Sequence, residues 1–406
     1  MQAEVYSVLK PGVSAVHLQN LVIGIPREIM PGEKRVAAIP ETVAKMVAAG
    51  ARVLIESNAG LGAFISDDSY RDNGAEIIAD VRELYSKATI ILKVKEPRFN
   101  QALGLHEAEM FPENGVIISF LHPAHSVNHD GLKILASRGI TSYTLDGIPR
   151  ISRAQQMDSL TSMSTVAGYK ATIFAAYHLA RFILMMPTSF GLIKPAKFLV
   201  VGTGVAGLQS IATAKRLGAV VKTIDIRPEA NEQARSLGAE NVVFEVPAGL
   251  AIGEGGYARR LPEDWYARER EALLPHVEES DAVILSALIP GEVAPIIIDE
   301  PMIRKMKKGS VIIDIAVDQG GNCSLTRCGE EYSFEGIMIS GIMNIPATLP
   351  IDATNMFAHS AYNFLAYIIE NGTVKTDTSD EIIHLTMVTA DGKIVHHGTL
   401  MAMGLE

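Results

Sequence analysis

The chain has 406 residues, of which 48% are hydrophobic, and it carries a formal net charge of −10 and two cysteines. An acidic chain of this kind is not built to bind nucleic acid or an anionic membrane surface. Two cysteines do not suffice for a disulfide framework or a four-cysteine zinc site, and we expect no metal site. Because one hydrophobic core rarely grows beyond about 250–300 residues, two domains are expected.

The start of the chain and its most apolar stretch both argue against direct insertion into a membrane. Residues 1–20 lack the pattern of a signal peptide and are expected to form an N-terminal arm. The apolar stretch 171–193 is interrupted by His178, Arg181 and Pro187. No run of about 20 uncharged apolar residues is therefore available to span a bilayer, and the sequence predicts a soluble chain.

Short apolar runs alternate with helical periods through the first 150 or so residues. Strands are predicted at residues 21–25, 52–56, 89–94, 116–121 and 141–145. Helices are predicted at residues 41–49 and 129–137, and glycines close both. Alternation of this kind predicts a first α/β domain with a parallel sheet.

A long helical segment from about Ser164 is predicted to lead into a second α/β domain. Its strands are expected at residues 197–201, 282–287 and 311–316. A last helical period at residues 355–369 is predicted to return the chain to the first domain without further strands. The expected division is an arm at 1–20, a first domain at 21–163 plus about 350–406, and a Rossmann domain at 164–349.

The segment 197–225 has the parts of a dinucleotide-binding unit. The strand 197–201 leads through Gly202, Gly204 and Gly207 into a helix predicted at 206–217, and Asp225 ends the next strand. The first glycine permits the tight turn, the second a close approach of the pyrophosphate, and the third close packing of helix on strand. The helix N-terminus offers N–H groups to phosphates. Asp225 is placed to bind the adenosine ribose and favours NAD over NADP, a preference that Arg227 softens.

Charged residues follow several of the predicted strands. They are Arg35, Lys95, His122, Arg150 and Asp318. Since ligands of open α/β sheets bind outside the carboxyl ends of the strands, this set is suited to a small keto or amino acid. The alternative is that charges accumulate at strand ends simply because the protein surface begins there.

Several motifs resemble the family of alanine dehydrogenase and proton-pumping nicotinamide nucleotide transhydrogenase. They are IGIPRE at residues 23–28, RVAAIP at 35–40, the glycine motif, ALIPG at 287–291 and GSVIIDIAVDQGGN at 309–322. The resemblance implies an α/β fold in which two Rossmann-like domains with parallel sheets flank a cleft. It also implies a homodimer.

Three segments resemble the NAD(H)-binding component of transhydrogenase. The resemblance makes Arg150, Gln155 and Asp158 the working residues of a loop, residues 149–158, that orients the nicotinamide. Residues 253–258, with Tyr257, resemble a mobile loop of that family, although a disordered surface insertion is the alternative. The segment 380–398 resembles the tail of separately encoded transhydrogenase α subunits. The cofactor-binding residues expected in all are Gly202, Gly204, Val205, Ala206, Gly207, Asp225, Ile226, Arg227, Tyr257, Ala287 and Leu288.

Other positions resemble alanine dehydrogenase. Lys95 and His122 match its substrate lysine and catalytic histidine, Asp318 matches its catalytic aspartate, and Arg35 completes the set. A stand-alone NAD-dependent amino acid dehydrogenase is therefore the second hypothesis. A third hypothesis is an NAD-sensing module without enzymatic activity.

The number of nucleotide motifs favours the transhydrogenase hypothesis. Hydride transfer between NADH and NADP requires two nucleotide sites, and this chain has one glycine fingerprint. The expected partners are thus an NADP(H)-binding domain and membrane-spanning transhydrogenase subunits, through which the chain would lie in the cytoplasm at the inner membrane.

Overall fold

The computed structural model describes residues 17–253, 258–289, 293–370 and 372–405. The described chain forms two compact units. The first runs to Pro31 and then takes in Arg35–Ser159 and the chain from Thr354 onward, and the second consists of Gly32–Lys34 and Leu160–Ala353. Each unit is built around a mainly parallel sheet, which confirms the predicted α/β class.

The first unit contains an eight-stranded sheet with six parallel strands and an antiparallel hairpin at one edge. From the hairpin edge, the strands are Lys393–Ile394, Met387–Ala390, Thr141–Thr144, Val116–Ser119, Ile90–Leu92, Val22–Ile25, Arg52–Glu56 and Glu76–Ile78. Leu54, Ile91 and Ile117, from three strands of this sheet, contribute to one buried cluster. The strand predicted at 116–121 ends early because the chain turns at His122, where φ is +43°.

The hairpin at this edge corrects the prediction that no strand follows residue 350. Met387–Ala390 pairs antiparallel with Thr141–Thr144, and the Thr389 hydroxyl lies 2.7 Å from that of Ser142. Asp391 and Gly392 form the turn with φ of +50° and +77°. Asp-Gly favours a two-residue hairpin turn with positive φ at both residues, so the sequence did contain a sign of this hairpin.

Helices cover the first sheet. They are Pro40–Ala48, Asp67–Arg71, Val81–Lys87, His129–Ser137, Glu381–Thr386 and His397–Met403, together with most of Pro350–Ile368. The helix Pro350–Ile368 starts earlier than residue 355, where the sequence predicted its start. Its first residue is Pro350, a position where the missing N–H of proline has no helical partner to lose.

The second unit contains a seven-stranded sheet in doubly wound order. From one edge, the strands are Glu240–Asn241, Val220–Ile224, Lys197–Val201, Ala282–Leu285, Val311–Asp314, Ile337–Ser340 and the antiparallel Glu331–Phe334. The order reverses between Lys197–Val201 and Ala282–Leu285. Ligands of such sheets bind at this reversal, outside the carboxyl ends of the strands.

Alternate residues of the strand Lys197–Val201 pack on opposite faces of the second sheet. Phe198 and Val200 belong to one buried cluster, and Leu199 and Val201 belong to another. The helices of this unit are Val205–Arg216, Pro228–Ser236, Ala248–Ala251, Glu263–Glu279, Glu300–Ile303 and nearly all of Ser159–His178.

The helix that leads into the second unit is Ser159–His178, and it starts earlier than the predicted Ser164. Shortly after it come two short antiparallel strands, Met186–Thr188 and Gly191–Ile193. None of the helices among the described residues is both long and apolar enough to cross a bilayer.

Candidate functional site

The glycine turn of the second unit has the geometry that its three glycines predict. Gly202 has φ of +85°, and a Cβ there would lie 2.8 Å from the Ala287 nitrogen. A Cβ on Gly207 would lie 1.9 Å from the Gly202 oxygen, so this position tolerates no side chain. A Cβ on Gly204 would meet nothing within 4 Å. Gly204 is thus the point at which a pyrophosphate can approach the backbone.

The helix Val205–Arg216 begins directly at this turn. Gly204 is its N-cap residue, and no side chain in the described structure caps it there. Val205 and Ala206 are half-buried at the helix start. The first N–H groups of an uncapped helix are available to an anion, which is the arrangement that dinucleotide sites use for phosphates.

A contact not expected from the sequence supports this helix start. A Cβ on Gly168, in the helix Ser159–His178, would lie 2.0 Å from the Ala206 oxygen. The Ser210 hydroxyl donates a hydrogen bond to the Gly168 oxygen over 3.0 Å. Gly168 therefore allows the two helices to touch beside the glycine turn, because any side chain at this position would push them apart.

Asp225 accepts several hydrogen bonds in this structure. Its carboxylate receives the Thr203 N–H over 2.7 Å and the Thr203 hydroxyl over 3.1 Å. It also receives the Arg227 N–H and Nε over 2.9 Å each, and the Arg227 terminal nitrogen over 2.8 Å. A ribose that binds Asp225 must therefore displace the Arg227 guanidinium, which sequence reasoning placed nearby but not on the carboxylate itself.

A second carboxyl group near Asp225 was not identified from the sequence. Glu269, in the helix Glu263–Glu279, is 3% exposed. Burial, followed by the charge of Asp225, raises the pKa of Glu269 to about 7, although Arg270 opposes this shift. Its surroundings in the sequence are charged and typical of an exposed helix, so no pattern marked it.

The cofactor preference can be tested on the purified chain. NADH is expected to bind at least about ten-fold more tightly than NADPH, because the 2′-phosphate would meet the buried charge of Asp225, and Asp225→Ala should relax the difference. Arg227→Leu should widen it by removing the nearest cation. Calorimetric titration with both nucleotides measures the ratio, and Arg235→Leu on the following helix is the matched loss of charge. Equal affinities in the unmodified chain would contradict the prediction.

The remaining expected cofactor residues lie near the turn or outside the described residues. Ile226 is half-buried beside Asp225. Ala287 and Leu288 follow the strand Ala282–Leu285, and the Leu288 side chain is exposed. Tyr257 lies outside the residues that the structure describes.

The loop with Arg150, Gln155 and Asp158 belongs to the first unit. Residues Ser152–Met157 form a 3-10 turn in which Ala154 and Met157 are buried. Arg150 and Gln155 are exposed and Asp158 is half-buried. The apolar side chains thus fix the turn from below and leave the Gln155 amide at the surface.

Side chains from the C-terminal region of the first unit hold this loop. Asn363 Nδ2 donates to the Gln156 oxygen over 3.0 Å. Arg153 donates to the Tyr367 hydroxyl over 3.1 Å and to Asp380 over 3.3 Å, and Tyr367 also bonds to Asp380. Asn363 and Tyr367 are four residues apart and so share one face of the helix Pro350–Ile368. These partners lie too far along the chain for sequence reasoning to have paired them.

His122 forms a close pair with Asp146 in the first unit. Nδ1 of His122 lies 2.9 Å from Asp146, whose other oxygen accepts the His122 N–H over 2.8 Å. The ring stacks on Phe120 with centroids 5.8 Å apart. Burial opposes the imidazolium, but the Asp146 charge outweighs it and raises the pKa of His122. The Asp146 contact at Nδ1 fixes the ring orientation.

Lys95 lies in the same electrostatic neighbourhood. The charge of Lys95 lowers the pKa of His122 and that of Glu96 raises it, although both effects are smaller than those of burial and Asp146. Glu28 accepts the N–H of Val94 over 2.6 Å and of Lys95 over 3.4 Å. The charge of Lys95 thus acts on His122, and Glu28 holds the backbone that carries Lys95.

The other two expected dehydrogenase residues are divided between the units. Arg35 is buried, at 3% exposure, in the first unit. Asp318 belongs to the second unit, where it accepts the Asn344 N–H over 3.3 Å. Among the described residues, no group of three or more His, Cys, Asp or Glu side chains is arranged to hold a metal ion.

Comparison with known proteins gives matches along nearly the whole chain. "Alanine dehydrogenase/PNT, N-terminal domain" matches residues 24–167, and "Alanine dehydrogenase/PNT, C-terminal domain" matches residues 171–397. The first portion of the NAD(P) transhydrogenase subunit alpha of Rhodospirillum rubrum is 42% identical, over 92% of this chain and 97% of its own length. "Alanine dehydrogenase" of Bacillus subtilis is 28% identical, over 95% of this chain and 96% of its own length.

A solved structure agrees with these matches. Transhydrogenase from Sinorhizobium meliloti superposes with a TM-score of 0.77 at 34% identity, and the match covers 93% of this chain and 99% of that one. The two family matches together include the glycine turn and the His122–Asp146 pair. The chain belongs to the alanine dehydrogenase/PNT family.

Proposed function

We propose that the chain is the NAD(H)-binding component of a proton-translocating nicotinamide nucleotide transhydrogenase, which donates hydride from NADH to NADP on a partner domain. One observation carries the proposal. Among its described residues, the second unit has one glycine turn with nucleotide geometry, in a chain that matches 97% of the length of a transhydrogenase α-subunit chain from R. rubrum. Because transfer between two nucleotides requires two sites, the second site must belong to a partner.

The residues of the chain then divide into binding and orienting groups. Gly204, the start of the helix Val205–Arg216 and Asp225 would bind the pyrophosphate and the adenosine ribose. Gln155 would orient the carboxamide of the nicotinamide, since an amide side chain offers both a donor and an acceptor. The bound nucleotide supplies the hydride, and the residues contribute by positioning, which requires reacting atoms about 3–3.5 Å apart.

The partners proposed are an NADP(H)-binding domain, membrane-spanning subunits that place the chain at the cytoplasmic face of the inner membrane, and a second copy of the chain. The homodimer is supported by the short hairpin of the second unit. Phe190 at its tip is 100% exposed and Leu192 is 59% exposed. Apolar side chains this exposed favour an interface. Light scattering on the purified chain should give twice the 43.7 kDa chain mass, and a monomer mass would remove the homodimer from the proposal.

An amino acid dehydrogenase remains the second candidate, and the His122–Asp146 pair favours it. An imidazole that a carboxylate orients, with a lysine charge acting on it, is an arrangement suited to general acid–base catalysis on a substrate carbonyl. Direct hydride transfer between two nicotinamides involves no proton transfer, so the proposed function gives this pair no catalytic work.

Alanine oxidation separates the two candidates. The isolated chain is expected to oxidise L-alanine negligibly, and His122→Ala should leave transhydrogenation within about three-fold in a complex reconstituted with an NADP(H)-binding domain, because the ~10²–10⁴-fold contribution of a general acid–base is not used. NADH absorbance measures the first reaction. His125→Ala, at an exposed histidine of the same loop, is the control. Robust alanine-dependent NADH formation that His122→Ala abolishes would establish the dehydrogenase instead.

A further inference from the structure

We propose that Asn322, held in place by Asp314, is a positioning residue for the nicotinamide half of the bound nucleotide. This role rests on the proposed nucleotide site of the second unit, but it does not depend on whether the hydride acceptor is NADP or a keto acid. Both residues are fully buried, at 0% exposure. Neither reaches the surface at which a ligand binds, so any effect on the ligand must pass through the backbone.

The sheet order indicates where the nicotinamide half lies. The strand Val220–Ile224, which Asp225 follows, is on one side of Lys197–Val201, and Ala282–Leu285 is on the other. A dinucleotide crosses a doubly wound sheet at this reversal. With the adenosine ribose at Asp225, the nicotinamide half lies outside the carboxyl end of Ala282–Leu285, at Ala287 and Leu288.

The Asn322 amide binds both polar groups of the Ala287 backbone. Its oxygen accepts the Ala287 N–H over 2.9 Å, and its Nδ2 donates to the Ala287 oxygen over 2.8 Å. Nδ2 also donates to the Pro295 oxygen over 2.9 Å. Only an amide side chain offers a donor and an acceptor in this spacing, and the extra methylene of glutamine has no room in a fully buried position.

Asp314 fixes Asn322 from the other side. Its Oδ2 accepts the N–H groups of Asn322 and Cys323 over 2.8 Å and 3.1 Å, and the Thr326 hydroxyl over 2.8 Å. Its Oδ1 accepts the Ala316 N–H over 3.1 Å. Four donors hold the carboxylate at the end of the strand Val311–Asp314, so the backbone of Asn322 has one defined position.

Ala287 also lies against the glycine turn. A Cβ on Gly202 would lie 2.8 Å from the Ala287 nitrogen, and the Ser286 hydroxyl donates to the Gly202 oxygen over 2.9 Å. The contacts therefore run without a gap from Asp314 through Asn322 and Ala287 to Gly202. Loss of the Asn322 amide should shift the backbone at Ala287, beside the nicotinamide half. The glycine turn and the Asp225 end should stay in place, because the Ser286 hydroxyl holds Gly202 and the Asp225 carboxylate holds Thr203.

Titration of the full chain with NADH and with AMP tests this inference. Asn322→Asp removes the donor to Ala287 and Pro295 at almost constant volume. It is expected to weaken NADH binding about ten-fold or more, since it leaves buried acceptors unpaired, and to leave AMP binding within about two-fold. Asp225→Ala should weaken both ligands, because both contain the adenosine ribose. Asn114→Asp, the same chemical change at an exposed residue of the first unit, should alter neither.

The pair of ligands distinguishes positioning from a general loss of structure. Equal weakening of NADH and AMP by Asn322→Asp would overturn the inference, as would an unchanged NADH affinity. If that variant does not fold, Thr326→Val removes one donor to Asp314 and should weaken NADH binding about three-fold with AMP unaffected. Failure of the unmodified chain to bind NADH would instead refute the nucleotide site on which the inference rests.

Discussion

Gln155→Asn is expected to slow hydride transfer from NADH by about 100-fold or more, with NADH affinity within a few-fold of the unmodified chain. The substitution keeps the amide but withdraws it by one methylene, and a misplacement of about 1 Å has an effect of this size. Because Ala154 and Met157 are buried, the turn cannot move to compensate. Affinity is expected to be preserved, since the proposed function assigns the phosphates and the adenosine ribose to the second unit.

Stopped-flow transfer to an NADP analogue in a reconstituted complex, with calorimetric NADH binding to the chain alone, measures the two effects separately. Gln156→Asn is the matched control. Gln156 is exposed in the same turn, and its contact with Asn363 uses the backbone oxygen rather than the side chain. An unchanged transfer rate in Gln155→Asn would remove the loop from the mechanism, and lost NADH binding would make the loop a structural clamp.

The geometry of the glycine turn could be predicted because its determinants are local. Gly202, Gly204 and Gly207 lie in one turn between a strand and a helix, and the requirement for no Cβ at the first and third positions follows from that turn alone. The bounds of the strand Lys197–Val201 were predicted for the same reason. Periodicity also predicted the fold class, because central strands of both sheets, such as Ile90–Leu92 and Ala282–Leu285, are short apolar runs.

The supporting contacts could not be predicted because they join distant regions of the chain. Asp146 and His122 are separated by 24 residues, Gln156 and Asn363 by 207, and Ala287 and Asn322 by 35. The first and third pairs follow neighbouring strands of a sheet, and the second joins a turn to a helix. A single sequence does not specify which of these elements are neighbours. The catalytic roles of Arg150, Gln155 and Asp158 likewise stay predictions, since geometry within one unit does not test them.

A fully buried charged group of the first unit, Lys93, was also passed over, because sequence reasoning selected Lys95 from the same segment. The Lys93 ammonium lies 3.0 Å from Glu107 and 3.4 Å from Glu28, and all three side chains are at most 3% exposed. Burial opposes the charge of Lys93, but the two carboxylates outweigh it and raise its pKa. Glu28 in turn accepts the Val94 and Lys95 N–H groups, so this network fixes the backbone that carries Lys95.

Lys93→Ala should therefore lower the free energy of unfolding by about 3–5 kcal/mol near neutral pH, because it removes the buried cation that contacts both carboxylates. Denaturant titration measures the loss. Lys87→Ala, which breaks the half-exposed pair of Lys87 with Glu83, should cost less than about 1 kcal/mol. A similar small loss in both variants would show that the buried network contributes no more than a surface ion pair.

The pH dependence of this loss has a defined sign. In the unmodified chain the raised pKa of Lys93 keeps its contribution fully present below the ordinary lysine value of about 10.4, and the contribution is lost only as the pH rises above it. In Lys93→Ala the buried carboxylates of Glu28 and Glu107 lose this cation, which should make the folded variant take up protons more readily than the unfolded chain. Its stability then improves as the pH falls, and the difference from the unmodified chain should be smaller at pH of about 5 than at about 8. A difference that grows on acidification would contradict this account of the network.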